Sequence, residues 1–199
     1  MGHSTPKKES FHKKGLSLQR LGRQEEAITF FDMAIELDPS DLEVLYDRAV
    51  SLQMSMKFDD AISSFDKVLE SDPENFAALV NKGLCLANPE VQRQEEALLC
   101  FEDALRISPN DPGVLSLKGY TLDALGRFRE AIMCFDVVLQ KHPDDTNVSV
   151  NKGLSLMHLG RYDEAVAYFD RVLEDEPGNL FALEWKKDAE KMRDRDLLS

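Results

Sequence analysis

Proline recurs at Pro39, Pro73, Pro109, Pro143 and Pro177, at intervals of 34, 36, 34 and 34 residues. Upstream of each, the same residue types stand at the same distances. Ala27, Ala61, Ala97, Ala131 and Ala165 come twelve residues before the prolines, and Phe31, Phe65, Phe101, Phe135 and Phe169 come eight before. A period of this length is the signature of stacked helical hairpins, each too small to bury its own apolar face. The 199 residues therefore form one short array, in which neighbouring units complete one another's core.

With each proline set at repeat position 32, the units span 8–41, 42–75, 76–111, 112–145 and 146–179, the third carrying two extra residues. Position 8 is Gly15, Ala49, Gly83, Gly119 and Gly153, and position 11 is always leucine, at Leu18, Leu52, Leu86, Leu122 and Leu156. Glycine inside a helix costs about 1 kcal/mol against alanine, so its repeated use implies a close packing contact. The second half of each unit has the spacing of one helical face, as in Ala27, Ile28, Phe31, Ala34 and Ile35.

Between the halves, Gly22, Gly126 and Gly160 follow a leucine and precede an arginine, where positive φ ends a helix. Met56 replaces this glycine in the second unit. Asp41, Asp111 and Asp145 are placed to cap the next helix. Helices are predicted over 8–21, 24–37, 42–55, 58–71, 76–88, 94–107, 112–125, 128–141, 146–159 and 162–175. Pro89 puts the two extra residues of the third unit in its interhelical loop.

After Pro177 the pattern changes. Leu180, Phe181, Leu183, Trp185 and Ala189 mix with charged residues, as expected of an amphipathic capping helix and tail over 180–199 that shields the last apolar face, with Trp185 packed against it. Residues 1–7 are expected to be a disordered tail whose Gly-His-Ser opening reads as a tag remnant. The flank of the first unit, at Lys7, Lys8, Lys13 and Lys14, is expected to be exposed and cationic.

Net charge is −13. An acidic surface repels phosphate backbones and anionic membranes, so neither nucleic acid nor membrane is the expected partner. No run of apolar residues is long enough to span a bilayer. Cys85, Cys100 and Cys134, an odd number without a CxxC pair, fit a reducing, cytoplasmic interior. His12, His142 and His158 are scattered over different units, and no metalloprotease, phosphate-loop or nucleophile motif accompanies them. No enzyme activity, cofactor or metal is expected. The acids Asp32, Asp66, Glu102, Asp136 and Asp170 follow the repeat phenylalanine and belong to the repeat rather than to a unique site.

The set of positions 4, 8, 11, 20, 24, 27 and 32 resembles the tetratricopeptide repeat family, in register over five units from Lys8 to Asn179. The resemblance implies an all-α fold: a right-handed α-solenoid of five helix-turn-helix units with a C-terminal capping helix. It also implies that first helices line a concave groove. Carried over by repeat position, the groove residues are His12, Leu16, Tyr46, Val50, Val80, Asn81, Leu84, Leu117, Tyr120, Val150, Asn151 and Leu154. Asn81 and Asn151 are candidates to hydrogen-bond a bound backbone. The family's clamp for carboxy-terminal carboxylates requires cations where this chain has His12, Ala77 and Asn81, and asparagines where it has Leu16 and Asp47, so that mode is not expected. The resemblance thus implies a protein-interaction module, an adaptor or scaffold. Its expected partner is a peptide or amphipathic helix, apolar with basic flanks. The alternatives are a self-associating assembly module and a regulatory fragment of a larger enzyme or sensor.

Overall fold

The computed structural model describes residues 4–196, with side chains from residue 6 onward. Eleven helices account for these residues and no strand occurs among them. They are α1 (Ser4–Arg20), α2 (Gln24–Leu37), α3 (Leu42–Met54), α4 (Phe58–Ser71), α5 (Phe76–Ala87), α6 (Gln94–Ile107), α7 (Pro112–Ala124), α8 (Phe128–Lys141), α9 (Thr146–His158), α10 (Tyr162–Asp175) and α11 (Leu180–Asp196). The ten repeat helices end within one residue of the periodicity-based limits, apart from the start of α1. That helix begins at Ser4, so the expected tail over 1–7 is helical from residue 4; residues 1–3 lie outside the described residues. The chain divides into two compact units, one ending at Ile107 and the other beginning at Ser108.

In the first unit α1 pairs with α2, α3 with α4 and α5 with α6, and each second helix also packs on the next first helix. In the second unit α7 pairs with α8 and α9 with α10, while α11 closes on α10. The five repeat phenylalanines are fully buried, as are Ala27, Ala61, Ala97, Ala131 and Ala165. Phe31, Phe101, Phe135 and Phe169 press against Gly15, Gly83, Gly119 and Gly153, with no room for a Cβ between helix and ring. This is the packing reason for the helical glycines.

The turns obey the same rule in every hairpin. Arg23 N–H donates to the Leu18 carbonyl and Gly22 N–H to Gln19, the double bond of a Schellman turn with the glycine at φ +75°. The third unit closes the same way from Arg93 to the Leu86 carbonyl across its two extra residues. Each arginine then folds onto a glutamate three residues on, as Arg127 Nη2 does at 2.7 Å from Glu130. Side-chain caps of Asp41, Asn75, Asp111, Asp145 and Asn179 accept from the third residue onward, at 3.0–3.2 Å. Met56 takes the glycine's turn position at φ 59° with an exposed side chain. Left-handed backbone costs a side-chain-bearing residue about 1–2 kcal/mol, partly offset by the entropy glycine returns to the unfolded chain. Met56→Gly is therefore expected to stabilise the protein by up to about 1 kcal/mol, read as a higher urea midpoint.

A ladder of ion pairs joins successive hairpins and explains the repeating acids. Arg48 Nε lies 2.5 Å from Asp32, Lys82 2.6 Å from Asp66 and Lys186 2.6 Å from Asp170. Lys152 joins Asp136 and the Tyr168 hydroxyl. Burial opposes charge on Lys152, but these hydrogen bonds carry its pKa above the ordinary lysine value. Lys8, expected in an exposed cationic flank, instead bridges Asp38 and Asp41 at 3.1 and 2.5 Å, and Lys7 lies 5.6 Å from the centre of the Phe11 ring. The thiols are buried, and desolvation pushes Cys85 up to about 12.

Candidate functional site

First helices stand side by side within each unit: α1, α3 and α5 in one, α7, α9 and α11 in the other. All twelve residues assigned to the groove by repeat position are half-buried. Their neighbours differ between the two units.

In the first unit the polar members are spent on bonds between hairpins. His12 Nε2 meets Asp47 Oδ2 at 2.6 Å, and Asn81 Nδ2 donates to the Tyr46 hydroxyl at 3.0 Å. Both pairs join position 5 of one hairpin to position 6 of the next. Asn81 Nδ2 also donates to the Ala77 carbonyl, so the amide expected to hold a ligand backbone already has partners. Gln19 Nε2 donates to the Asp47 carbonyl and to Ser51 Oγ, at 3.2 and 3.0 Å. Burial raises the Asp47 carboxyl pKa, the His12 hydrogen bond opposing it, and burial also raises the Tyr46 phenol. Leu16 leans on the cluster of Leu18, Phe31 and Val44, and the Tyr46 ring stands edge-on to Phe65 at 5.8 Å. Val50, Val80 and Leu84 complete the half-buried set.

In the second unit the wall is hollowed. One cleft of 420 Å³ is lined by Leu154, Met157, Trp185 and Met192, with Asp123, His158, Asp188, Lys191 and Arg195 at its polar edge. A second, of 320 Å³, is lined by Val150, Asn151, Leu154, Phe181 and Trp185, with Asn147 and Asn179. Leu154 and Trp185 belong to both. The sequence-assigned Val150, Asn151 and Leu154 are thus brought together, whereas Leu117 and Tyr120 on α7 line neither cleft. Tyr120 rests against Phe135 at 5.5 Å, and burial raises its phenol pKa. His158 stacks on Phe128 at 4.4 Å and 9°. Asn151 Nδ2 donates to the Asn147 carbonyl.

Sequence reasoning assigned Trp185 to packing alone. It does pack on the cluster containing Leu156, Phe169 and Ala189, and it also forms the ridge between the two clefts. The signal was available. Counting a sixth unit from Leu180 puts Trp185 and Asp188 at repeat positions 6 and 9, where Asn151 and Leu154 stand in the fifth. The capping helix touches α9 as α7 does, and so extends the row of first helices.

Family models described as tetratricopeptide repeat match residues 8–41, 46–112 and 117–179. The chain belongs to the tetratricopeptide repeat family, and its fold is that of a helical interaction scaffold. No curated protein matches the sequence. Among solved structures, it is similar to YrrB, described as "a TPR protein with an unusual peptide-binding site", at 23% identity and TM-score 0.79, covering 89% of this chain and 90% of that one. It is similar to MamA at 21% identity and TM-score 0.81, covering 89% and 94%. A tetratricopeptide repeat protein from Parabacteroides merdae aligns at 20% identity and TM-score 0.85, over 96% of this chain and 74% of that one. At these identities the likeness is one of fold. No helix of the described residues is long and apolar enough to cross a membrane.

Proposed function

We propose that the chain is an adaptor that captures an apolar protein segment, a peptide or amphipathic helix, on the row formed by α9 and α11. The observation that carries this is the pair of clefts meeting at Leu154 and Trp185, since they offer adjoining apolar seats beside polar edges. Anchors one or two helical turns apart would fill both. The net charge of −13 favours basic residues flanking those anchors. The same reading makes this a binding protein without a catalytic role, and its three buried free thiols support a reducing compartment such as the cytoplasm.

Trp185 is the only tryptophan, so its emission reports occupancy directly. A synthetic amphipathic peptide with leucines at i, i+4 and i+7 and lysines at both ends is expected to shift that emission saturably. Leu154→Glu should weaken it at least about tenfold, the loss typical of a removed anchor contact, at a temperature where circular dichroism shows the variant folded. Equal affinity for the variant and the unaltered protein would reject the α9–α11 site.

A second reading has its own observation. Leu180 and Phe181, at the start of α11, are 77% and 71% exposed. An apolar edge of this kind also suits pairing of two copies. Light scattering distinguishes them, since self-association requires a dimer that Phe181→Glu returns to monomer.

A further inference from the structure

On the first unit three side chains converge whose chemistry the peptide-capture reading leaves unused. The donor atoms of His12, Glu43 and Asp47 all lie within 4.8 Å of one another. Glu43 and Asp47 are four residues apart on α3 and so project from one face, the i, i+4 arrangement by which helices present paired metal ligands. His12 reaches them from α1, its ring held at 5.9 Å from Phe31 and its Nε2 turned to Asp47. Gln19 fixes the spacing of the two helices through the Asp47 carbonyl and Ser51.

Charge points the same way. Two carboxylates face a single imidazole, and Lys8, one turn before His12 on α1, is engaged by Asp38 and Asp41. Asp47 is half-buried, so its repulsion with the exposed Glu43 is only partly screened. A divalent cation would neutralise both acids at once. One imidazole with two carboxylates is a donor set suited to zinc and its neighbours in the first transition row.

We propose that His12, Glu43 and Asp47 form a binding site for a divalent transition-metal ion of the zinc type. With bonds of about 2.0–2.1 Å, ligand atoms on a tetrahedral ion stand about 3.3 Å apart. The exposed Glu43 side chain can swing inward, while the His12–Asp47 contact opens from 2.6 Å to admit the ion. The bound ion would tie α1 to α3, joining the first two hairpins. Its remaining coordination position would be left to water.

The test is calorimetric titration of the full chain with Zn²⁺, with Co²⁺ as the spectroscopic probe, for the unaltered protein, Glu43→Gln and His12→Gln. One saturable site per chain is expected, with visible Co²⁺ bands and a raised melting temperature on adding Zn²⁺. Each variant should bind at least about tenfold more weakly. Glu43→Gln keeps the His12–Asp47 pair, so its metal-free melting should match that of the unaltered protein. The proposal is overturned if the unaltered chain shows no saturable binding, or if either variant binds as tightly as it does. His3 is present in all three proteins, so binding through it would survive both substitutions and be recognised.

Discussion

Phe65→Ala is expected to remove about 3–5 kcal/mol of stability, the usual cost of emptying a phenylalanine-sized space in a core that cannot collapse around it. The ring is fully buried on α4, which is packed between α3 and α5. It also supports the wall beyond it. Tyr46 stands edge-on against Phe65, and its hydroxyl accepts the Asn81 amide from the following hairpin. One truncation therefore loosens three helices. Because hairpins in an array depend mainly on their neighbours, the damage should be local. Amide exchange should accelerate over α3–α5 well before it does so over α9–α11. Typical domains hold only about 5–15 kcal/mol in reserve, so the urea midpoint should fall steeply. Leu99→Ala is the control, since Leu99 is 61% exposed and should change stability by less than about 0.5 kcal/mol. A Phe65→Ala protein that melts like this control would show that the repeat aromatic is not what holds successive hairpins together.

The repeat made most of this arrangement legible beforehand, because the features it specifies are local. Gly22, Gly126 and Gly160 end helices through their own backbone freedom, and Asp41, Asp111 and Asp145 cap the next ones through their own oxygens. Period alone then gave each helix its buried face. What could not be read this way depends on pairs brought together from different hairpins. His12 meets Asp47 and Tyr46 meets Asn81 at one period plus one residue, a register set by how first helices lean on one another. The ladder from Arg48 to Asp32 and from Lys152 to Asp136 likewise follows from packing of second helices on the next first helix. The clefts were half visible. Val150, Asn151 and Leu154 came from their repeat positions, but Phe181, Trp185 and Met192 stand beyond the last proline, where the repeat markers stop.

At Gly153 the expected response is graded. A Cβ placed there would lie 2.6 Å from Phe169 Cε1 and 2.8 Å from Cζ, both atoms of a fully buried ring. The second hairpin shows how much of this the fold can absorb, since Ala49 occupies the equivalent position opposite Phe65 with both fully buried. One methyl is therefore met by a small displacement of helix and ring. In Gly153→Ala, helix propensity returns about 1 kcal/mol against that compression, and the net change should stay within about 1 kcal/mol. Gly153→Leu cannot be met in the same way. Its branch would have to occupy the volume of the Phe169 ring, and α9 would have to part from α10. A cost of about 3 kcal/mol is expected, at the upper end for overpacked cores. The displacement would also move Leu154 relative to Trp185, so affinity at the proposed peptide site should fall along with stability. Denaturant midpoints for the pair decide the matter: if alanine and leucine are equally well tolerated, direct contact between helix and ring is not what excludes larger side chains at this position.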